Sequence, residues 1–309
     1  MDPEYHKPVM VSEVLEAVNP MEKGVYVDGT IGGGGHAAAI LAASSPSGWL
    51  FGCDRDGDAV EAASARLREF AGRFELRRGD YADLAEWIAV GSCDGVVLDL
   101  GVSSAQLDRA ERGFSFLRDG PLDMRMDRQQ TTTAADLMMS LSAEELARIF
   151  WEYGGERDSR RLAKGIERER LSRPIRTTGE LAGLIEKMSP RRGKKSHPAT
   201  KVFQALRIAV NGEMSSLERG LAGAMKILKP GGRLAVITFH SLEDRMVKEF
   251  GRARARDYTF TGGVDVPELR EPRAPELRLV TRKAIQPRRA ELAENARSRS
   301  AQLRVMEKI

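Results

Sequence analysis

Four consecutive glycines at residues 32–35 restrict the folds open to this chain. They follow a short apolar run that ends in an acid, Val25 to Asp28, and precede a helical pattern, His36 to Ala43. Because glycine has no Cβ, such a loop permits positive φ and lets a ligand approach the bare backbone. The unpaired N–H groups of the first helical turn would point into the loop and favour a polar or anionic ligand group. The pattern predicts a cradle for a nucleotide-type ligand.

Short apolar runs alternate with helical patterns through the first hundred residues. The expected strands are Val25 to Val27, Trp49 to Cys53, Phe74 to Leu76 and Gly95 to Leu98. The expected helices between them are His36 to Ala43, Asp58 to Phe70 and Leu84 to Val90. Strand and helix in regular alternation are typical of a parallel sheet covered on both faces, with right-handed crossovers. The predicted fold class is therefore α/β.

The alternation stops after Gly101 and resumes only near residue 213. The segment between contains a polar loop and then helical patterns around Ala143 to Trp151, Asp158 to Leu171, Thr178 to Met188 and Ala199 to Asn211. The later α/β pattern has a helix from Met214 to Leu228, a turn at 229–232, a strand from Arg233 to Phe239 and a helix from Leu242 to Gly251. Two last runs, Leu277 to Arg282 and Ala301 to Met306, could pair antiparallel at one end of the sheet. We expect a core of residues 1–103 and 213–309 with an inserted helical subdomain, residues 104–212.

The bulk composition places the chain among cytoplasmic proteins. It has 309 residues, of which 41% are hydrophobic and 30% charged, without an apolar run long enough for a membrane span or a signal peptide at Met1 to Met10. Cys53 and Cys93 lie in strand-like runs and are expected as buried thiols, and the four histidines are scattered. We therefore predict no metal site, no membrane association and, as one option, a homodimer.

The positive charge of the chain is concentrated in one segment. Residues 151–210 hold fifteen Lys or Arg against seven Asp or Glu, although the whole chain carries only +4. A solvated helical surface is one interpretation, and a surface that faces a polyanion is the other. For the second interpretation we predict phosphate contacts from Arg191, Arg192, Lys194 and Lys195.

Acidic residues close four successive strands of the predicted sheet or the turns just after them. They are Asp28, Asp54, Asp80 and Asp99. Because ligands bind at the carboxyl ends of the strands in an open parallel sheet, these acids should outline one pocket. An acid that closes the second strand is the usual acceptor for ribose hydroxyls, which predicts that role for Asp54.

The glycine loop alone leaves the nucleotide cofactor open. Residues 32–37 match the dinucleotide pattern G-x-G-x-x-A, so an NAD- or FAD-dependent oxidoreductase is one candidate. Asp28 favours another, because an anion beside the loop would repel a pyrophosphate and suit the sulfonium or ammonium of S-adenosylmethionine. A cap on the following turn is the structural alternative for Asp28.

Polar residues from Asp99 to Asp108 follow the fourth strand, beside the expected cofactor position. A methyl acceptor would have to lie there. If the acceptor were an exocyclic amine, hydrogen-bond acceptors on its N–H groups would localise the nitrogen lone pair, and in-line geometry would do much of the rest. Such a transfer needs no metal.

Several longer motifs resemble the bacterial RsmH (MraW) family from about His6 to Arg304. They are Asp28-Gly29-Thr30, Gly34-Gly35-His36, Leu98 to Ser104, Glu111 to Phe116, Asp119 to Asp127, His197 to Thr200 and Phe239 to Arg245. The resemblance implies a class I S-adenosylmethionine-dependent methyltransferase with a Rossmann-like, mostly parallel sheet. It also implies that the substrate is the N4 amine of one cytidine in the decoding region of 16S ribosomal RNA, free or within the small ribosomal subunit.

By matching position, the resemblance implies that six residues contact the cofactor: Gly34, Gly35, His36, Asp54, Asp99 and Gln106. Tyr81 would stack near the adenine. The family usually has Phe there after Gly-Pro, whereas this chain has Gly79-Asp80-Tyr81, but both rings can stack.

Four residues are candidates for the catalytic step. Asp99 is one acceptor for the target amine, and Asp123 and Asp127 are others, because cytosine presents N4–H donors to carboxylates. Their loop could instead fill a gap with Met124 and Met126. His240 borders the site or caps the next helix. A non-catalytic RNA-binding assembly factor stays open beside the two enzyme classes.

Overall fold

The computed structural model describes residues 8–190, 197–260 and 264–309. The chain divides into two compact units. The sheet unit contains residues 8–101 and Ser215–Ile309, and the helical unit contains Val102–Met214.

The described residues contain helices and strands in the following order. The strands are β1 (Val25–Asp28), β2 (Trp49–Asp54), β3 (Phe74–Arg78), β4 (Cys93–Asp99), β5 (Leu228–Thr238), β6 (Tyr258–Phe260), β7 (Arg270–Pro272), β8 (Leu277–Leu279) and β9 (Gln302–Lys308). The helices are α1 (Val11–Val18), α2 (Gly35–Ala43), α3 (Gly57–Arg66), α4 (Leu84–Trp87), α5 (Ser104–Asp108), α6 (Ala134–Ser140), α7 (Ala143–Glu152), α8 (Ser159–Ser172), α9 (Thr178–Met188), α10 (Thr200–Asn211), α11 (Glu213–Ile227), α12 (Ser241–Arg254) and α13 (Arg289–Glu294). Among them there is no helix with the length and apolar character that a bilayer crossing requires.

The sheet unit is built on a mostly parallel sheet with strand order β3-β2-β1-β4-β5-β9-β8. The pairs from β3 to β5 are parallel, as the alternating pattern predicts, and their central positions carry fully buried side chains such as Tyr26, Leu50 and Val96. The predicted antiparallel pairing of the two last runs is confirmed, since Leu277 pairs with Lys308 at the sheet edge. The predicted α/β class and parallel sheet are therefore correct.

The structure differs from the predictions at several places. The turn predicted at 229–232 is a bulge within β5, because Cys93 pairs with Leu228 and the next pair joins Gly95 to Arg233. The helix predicted to Val90 ends at Trp87, since the next residue is extended. The helix α1 and the small hairpin of β6 with β7 have no counterpart in the predictions.

The helical unit has its own apolar core. Fully buried side chains from successive helices meet there, among them Met138, Leu146, Phe150, Ile166 and Leu206. Four of its helices begin with a capping box, in which a Ser or Thr side chain accepts from the third helical N–H: Ser103 on α5, Thr133 on α6, Ser142 on α7 and Thr177 on α9. The unit is thus a packed helical domain and not a long loop.

Candidate cofactor site

Three acids lie at one edge of the sheet, where neighbouring parallel strands end. Asp28, Asp54 and Asp99 are the last residues of β1, β2 and β4, and β1 lies between the other two strands. The edge is tied together by hydrogen bonds: the Gly29 N–H donates to the Val97 carbonyl (3.0 Å). The structure therefore brings together three of the four acids that were predicted to outline a pocket.

The glycine loop follows β1 and leads into α2. Gly32 and Gly34 have φ values of 47° and 76°, in the region that favours glycine. A Cβ on Gly34 would lie 3.1 Å from Ala63 Cα, and one on Gly35 would lie 2.7 Å from Pro8 Cγ. Both glycines are required by close packing, and a ligand at this loop would meet backbone and not side chains.

Asp54 combines two hydrogen bonds with burial. Its Oδ2 accepts from the Gly32 N–H (3.0 Å) and its Oδ1 from the Asp56 N–H (2.9 Å). Burial nevertheless raises the pKa of Asp54 to about 6, since the loss of hydration outweighs those bonds. A carboxylate oxygen has two lone pairs, so each oxygen can accept one further donor, such as a ribose hydroxyl.

Asp28 is almost completely buried, and one of its oxygens lacks a hydrogen-bond partner. The Thr30 N–H donates to Oδ1 (3.2 Å), which is the turn cap considered above, while Oδ2 is buried and unpaired. Burial raises the pKa of Asp28 to about 7. The Ala37 N–H at the start of α2 lowers this pKa only weakly, because it lies outside hydrogen-bond geometry. A buried, unpaired carboxylate oxygen costs free energy in the ligand-free protein, and a cationic ligand would relieve that cost.

Asp99 repeats this arrangement at the end of β4. Its Oδ1 is buried without a hydrogen bond, and its Oδ2 lies 3.8 Å from His36 Nδ1. Burial, and next the negative charges of Asp28, Glu243 and Glu291, raise the pKa of Asp99 well above its ordinary value. Within the described residues of the sheet unit, the site is therefore an electronegative region in which the acids are not balanced by cations.

A short N-terminal segment, residues 8–10, covers the glycine loop. Pro8 packs on Gly35, and the Val9 carbonyl accepts a hydrogen bond from His36 Nε2 (2.8 Å). Because a carbonyl can only accept, Nε2 carries the hydrogen. His36 therefore anchors this segment, and its other ring nitrogen faces Asp99.

The same segment is held from the far end of the chain. The Met10 N–H donates to Glu291 Oε1 (2.7 Å), which belongs to α13. Next to it, the guanidinium of Arg288 lies 2.9 Å from Glu13 and 2.7 Å from Glu16, both on α1. These contacts, which the sequence patterns did not indicate, fix the segment that packs on the glycine loop.

Tyr81 is held by the fourth acid and a small network. Asp80 Oδ1 accepts from the Ala82 N–H (3.0 Å), and its Oδ2 accepts from Ser216 Oγ (2.8 Å) and from the guanidinium of Arg55. A Cβ on Gly220 of α11 would lie 2.4 Å from Tyr81 Cδ2. Arg55, Ser216 and Gly220 were missed from the sequence. The one available signal is a glycine inside the helical pattern of α11, which favours close approach of another group.

His240 is the N-cap of α12. Its Nδ1 accepts from the Glu243 N–H (3.4 Å), and Glu243 Oε2 accepts from the Phe239 N–H (2.8 Å) and the His240 N–H (3.2 Å). His240 Nε2 lies 3.0 Å from Glu243 Oε1 but outside hydrogen-bonding geometry, so it is buried and unsatisfied. His240 Nδ1 thus has the predicted role of a helix cap, whereas Nε2 has no hydrogen bond and could meet a ligand.

Gln106, Asp123 and Asp127 belong to the helical unit. Gln106 forms a capping box with Ser103 on α5, in which Gln106 Oε1 accepts from the Ser103 N–H (3.1 Å). Asp123 forms a bidentate ion pair with Arg125 (2.7 and 2.8 Å). Burial of Asp123 acts to raise its pKa, but the hydrogen bonds and charge of Arg125 outweigh it, and the pKa is lowered. Asp127 Oδ1 accepts from the Gln129 N–H (2.9 Å).

The loop that carries these two acids is packed into the helical unit. Met124 is fully buried with a φ of 62°, and Asn211 holds the loop by donating to the Met124 carbonyl (2.8 Å) and accepting from the Met126 N–H (2.8 Å). The Arg112 guanidinium donates to the Met126 carbonyl as well (3.1 Å). The structure therefore has the methionines of this loop in the packing role, while Asp123 pairs with Arg125 and Asp127 is half-buried.

The four cations predicted to contact phosphate, Arg191, Arg192, Lys194 and Lys195, lie outside the described residues. Their role stays a prediction.

The residues of the sheet unit fit the cofactor that the sequence implies. The cradle consists of the glycine loop, in which Gly34 and Gly35 leave no room for a side chain, the Asp54 carboxylate at the end of β2, and the unpaired oxygens Asp28 Oδ2 and Asp99 Oδ1. It is electronegative and offers few hydrogen-bond donors. Such a cradle suits a nucleoside that carries positive charge, and it does not suit the pyrophosphate of a dinucleotide. Sheet and site together define a class I S-adenosylmethionine-dependent methyltransferase with a Rossmann-like fold.

Comparison with known proteins identifies the family. The model of the MraW methylase family matches residues 4–309, and the chain belongs to this family. The resemblance inferred from the motifs is therefore confirmed.

The chain is 52% identical over 314 residues to the ribosomal RNA small subunit methyltransferase H of Citrifermentans bemidjiense, with all of both chains covered. It is 50% identical over 309 residues to the protein of that name from Syntrophotalea carbinolica, with 98% of each covered. Among solved structures, an rRNA methylase from Streptococcus thermophilus aligns with 98% of each chain at 12% identity and a TM-score of 0.43.

Proposed function

We propose that this protein transfers a methyl group from S-adenosyl-L-methionine to the exocyclic N4 amine of one cytidine in the decoding region of 16S rRNA. Membership of the MraW methylase family and the printed names of the relatives support this proposal at the level of a small-subunit rRNA methyltransferase. The cytidine and its N4 atom rest on the sequence motifs. The substrate is the RNA, either free or within the small ribosomal subunit, and the reaction takes place in the cytoplasm.

The observation that carries the proposal is the pair of buried, unpaired carboxylate oxygens beside the glycine loop. When bound, the cofactor supplies a methyl group on a positively charged sulfur. Asp28 Oδ2 would then accept from the cationic methionine ammonium, the negative charges of Asp28 and Asp99 would offset the charge of the sulfur, and Asp54 would accept from the ribose hydroxyls. Gly34 and Gly35 allow the close approach.

The remaining residues of the proposed cofactor site orient the cofactor rather than attract its charge. The network of Asp80, Arg55 and Ser216 fixes the position of Tyr81, whose ring stacks on the adenine. His36 holds the segment at residues 8–10 and presents its second nitrogen toward Asp99. Gln106 is assigned to the cofactor by the sequence match, while its contacts within the helical unit are those of a helix cap.

Among the catalytic candidates, we assign the acceptor role at the target amine to Asp99. The N4 lone pair of cytosine is delocalised into the ring, and a carboxylate that accepts its N–H localises it for in-line attack. Asp99 Oδ1 makes no hydrogen bond, and it can receive the proton that the nitrogen releases once the N–C bond has formed. Because Arg125 pairs with both oxygens of Asp123, we infer that this acid, also a catalytic candidate from the sequence, supports the loop instead.

Asp127 and His240 are proposed as secondary contacts of the substrate. His240 Nε2 is buried and unsatisfied, so it can meet a polar group of the cytidine. Asp127 Oδ1 accepts from the Gln129 N–H, and because each carboxylate oxygen has two lone pairs, Asp127 can accept from a base as well. The prediction of a homodimer is kept as well, and sedimentation of the purified protein tests it.

Methyl transfer and cofactor binding test the function together. The purified protein is incubated with S-adenosylmethionine labelled in its methyl group and with 16S rRNA or small subunits, and the RNA is digested to nucleosides for mass spectrometry. We expect label on N4-methylcytidine, at one equivalent per RNA, and loss of at least 100-fold in rate for Asp99→Ala. Calorimetry with S-adenosylhomocysteine, NAD and FAD is expected to give binding of the first alone.

Each alternative has its own outcome in these experiments. Binding of NAD or FAD in preference to S-adenosylhomocysteine would support an oxidoreductase. Cofactor and RNA binding without label transfer would support a non-catalytic assembly factor. Full activity of Asp99→Ala would contradict the acceptor role of Asp99.

A further inference from the structure

We propose that one exposed face of α8 binds the phosphate backbone of the RNA substrate, an inference that rests on the proposed function. The face consists of Arg157, just before the helix, and Arg160, Lys164 and Arg168 within it; we refer to it as the α8 basic face. All four side chains are exposed. Their spacing of three or four residues places them on one side of a helix.

The opposite side of α8 explains why this face points to solvent. Leu162, Ala163 and Ile166 are buried in the core of the helical unit. The helix is therefore fixed by its apolar side, and the basic side needs no rearrangement to meet a ligand.

The four cations of the α8 basic face are not paired with acids of the described chain. Throughout the described residues, Arg157, Arg160, Lys164 and Arg168 take part in no ion pair; Arg168 Nε donates only to the Lys164 carbonyl (3.3 Å). The acids next to this face are placed beside other cations: Asp158 pairs with Arg161 (2.7 Å), and Glu167 lies 3.8 Å from Arg170. Glu169 forms no ion pair with the four residues of the face in the part of the chain that the structure describes.

Several arginines of the sheet unit are paired instead. Four of them, half-buried or exposed, lie beside carboxylates: Arg254 beside Glu276 (3.3 Å), Arg270 beside Asp265 (2.7 Å), Arg273 beside Glu276 (3.6 Å) and Arg278 beside Glu307 (2.6 Å). Paired arginines gain little from a polyanion, since its phosphates must compete with the resident carboxylate. The unpaired α8 basic face is thus the better phosphate surface.

The dimensions of the face suit an extended polyanion. Arg160 and Arg168 are eight residues apart, or about 12 Å along a helix that rises ~1.5 Å per residue. A line of cations over this length can follow successive phosphates of one strand without reading its bases. Each phosphate that a cation neutralises releases a counterion and adds about 0.7–0.9 to the slope of log affinity against log salt.

The test measures this salt slope with the full-length protein and a 16S rRNA transcript that covers the decoding region. For the triple variant Arg160→Gln, Lys164→Gln and Arg168→Gln, we expect the slope to become shallower by about 2–3. Affinity for S-adenosylhomocysteine should stay within about twofold. The conservative variant Arg160→Lys with Arg168→Lys should keep the parental slope, because it retains the charges.

A matched control removes the same charge from the paired arginines. Arg254→Gln, Arg273→Gln and Arg278→Gln together lower the net charge equally, and we expect the parental slope. An unchanged slope for the α8 variant, or an equal change in both triple variants, would overturn the α8 basic face as the phosphate surface. If the parental protein transfers no methyl group to the transcript or to small subunits, the proposed function itself fails, which is a separate result.

Discussion

Replacement of Asp28 by Asn should separate the role of this acid in cofactor binding from the folding free energy that its burial costs. Burial raises the pKa of Asp28 from 3.8 to about 7 in the folded protein. Between these two pH values the folded chain holds a proton that the unfolded chain has lost. Stability therefore falls as the pH rises through this window, and the loss is complete above pH 7.

The size of the effect follows from the difference in pKa. A difference of about three units, at ~1.4 kcal/mol per unit, corresponds to about 4 kcal/mol of folding free energy at pH 8. Asn keeps the oxygen that accepts from Thr30 but buries an amide in place of Oδ2, at a cost of about 1–3 kcal/mol at every pH. The informative quantity is thus how the difference between variant and parent changes with pH.

The assay compares melting temperatures of the ligand-free proteins from pH 4.5 to pH 8. We expect Asp28→Asn to gain stability relative to the parent as the pH rises. Asp136→Asn is the matched control: the hydroxyl and N–H of Thr133 lower the pKa of Asp136, so its loss should cost stability at neutral pH. Parallel pH profiles for Asp28→Asn and the parent would refute the reasoning.

Cofactor binding provides the second half of this prediction. A charged Asp28 attracts a cation, so the affinity of the parent for S-adenosylmethionine should rise with pH between 5 and 7, as the carboxyl ionises. Asp28→Asn should reduce this rise, of which the ionisation of Asp54 and Asp99 contributes the remainder, and it should weaken S-adenosylmethionine more than S-adenosylhomocysteine, whose sulfur is neutral. Equal losses for both ligands in calorimetry would place Asp28 away from the sulfur.

Three further substitutions test the geometry of the two units. Gly35→Ala should weaken S-adenosylhomocysteine at least tenfold by calorimetry because its Cβ displaces Pro8, whereas Gly183→Ala, with open space around it, should leave binding unchanged. Tyr81→Ala should weaken the same ligand by about 1–3 kcal/mol through lost stacking, and Tyr81→Phe should not. Asn211→Ala should lower the melting temperature by several degrees, since it removes the hydrogen bonds that hold the methionine loop; an unchanged melting temperature would show that packing alone suffices.

The sheet and the order of its acids could be predicted because both depend on short-range patterns. Apolar runs in alternation with helical patterns determine a parallel sheet, and a strand that ends in an acid delivers that acid to the sheet edge. Asp28, Asp54 and Asp99 therefore could be placed without coordinates. The glycine loop could be read for the same reason, since its packing requires residues that lack a Cβ.

What could not be predicted depends on contacts between residues far apart in the chain. The link from Ser216 to Asp80 spans 136 positions, and nothing near either residue indicates it. The burial that raises the pKa of Asp99 is likewise a property of the assembled sheet. In β5, the local Pro-Gly-Gly signal indicated a turn, but pairing with β4 absorbs these residues as a bulge.

The hydrogen bond from Met10 to Glu291 joins residues 281 positions apart. Because this bond holds the segment that packs on the glycine loop, one wall of the cofactor site depends on α13, which lies far from the loop in sequence. A fragment that stopped before α13 would carry Asp28, Asp54 and Asp99 and would still lack this anchor. Cofactor affinity should therefore report on long-range folding of the sheet unit and not on the glycine loop alone.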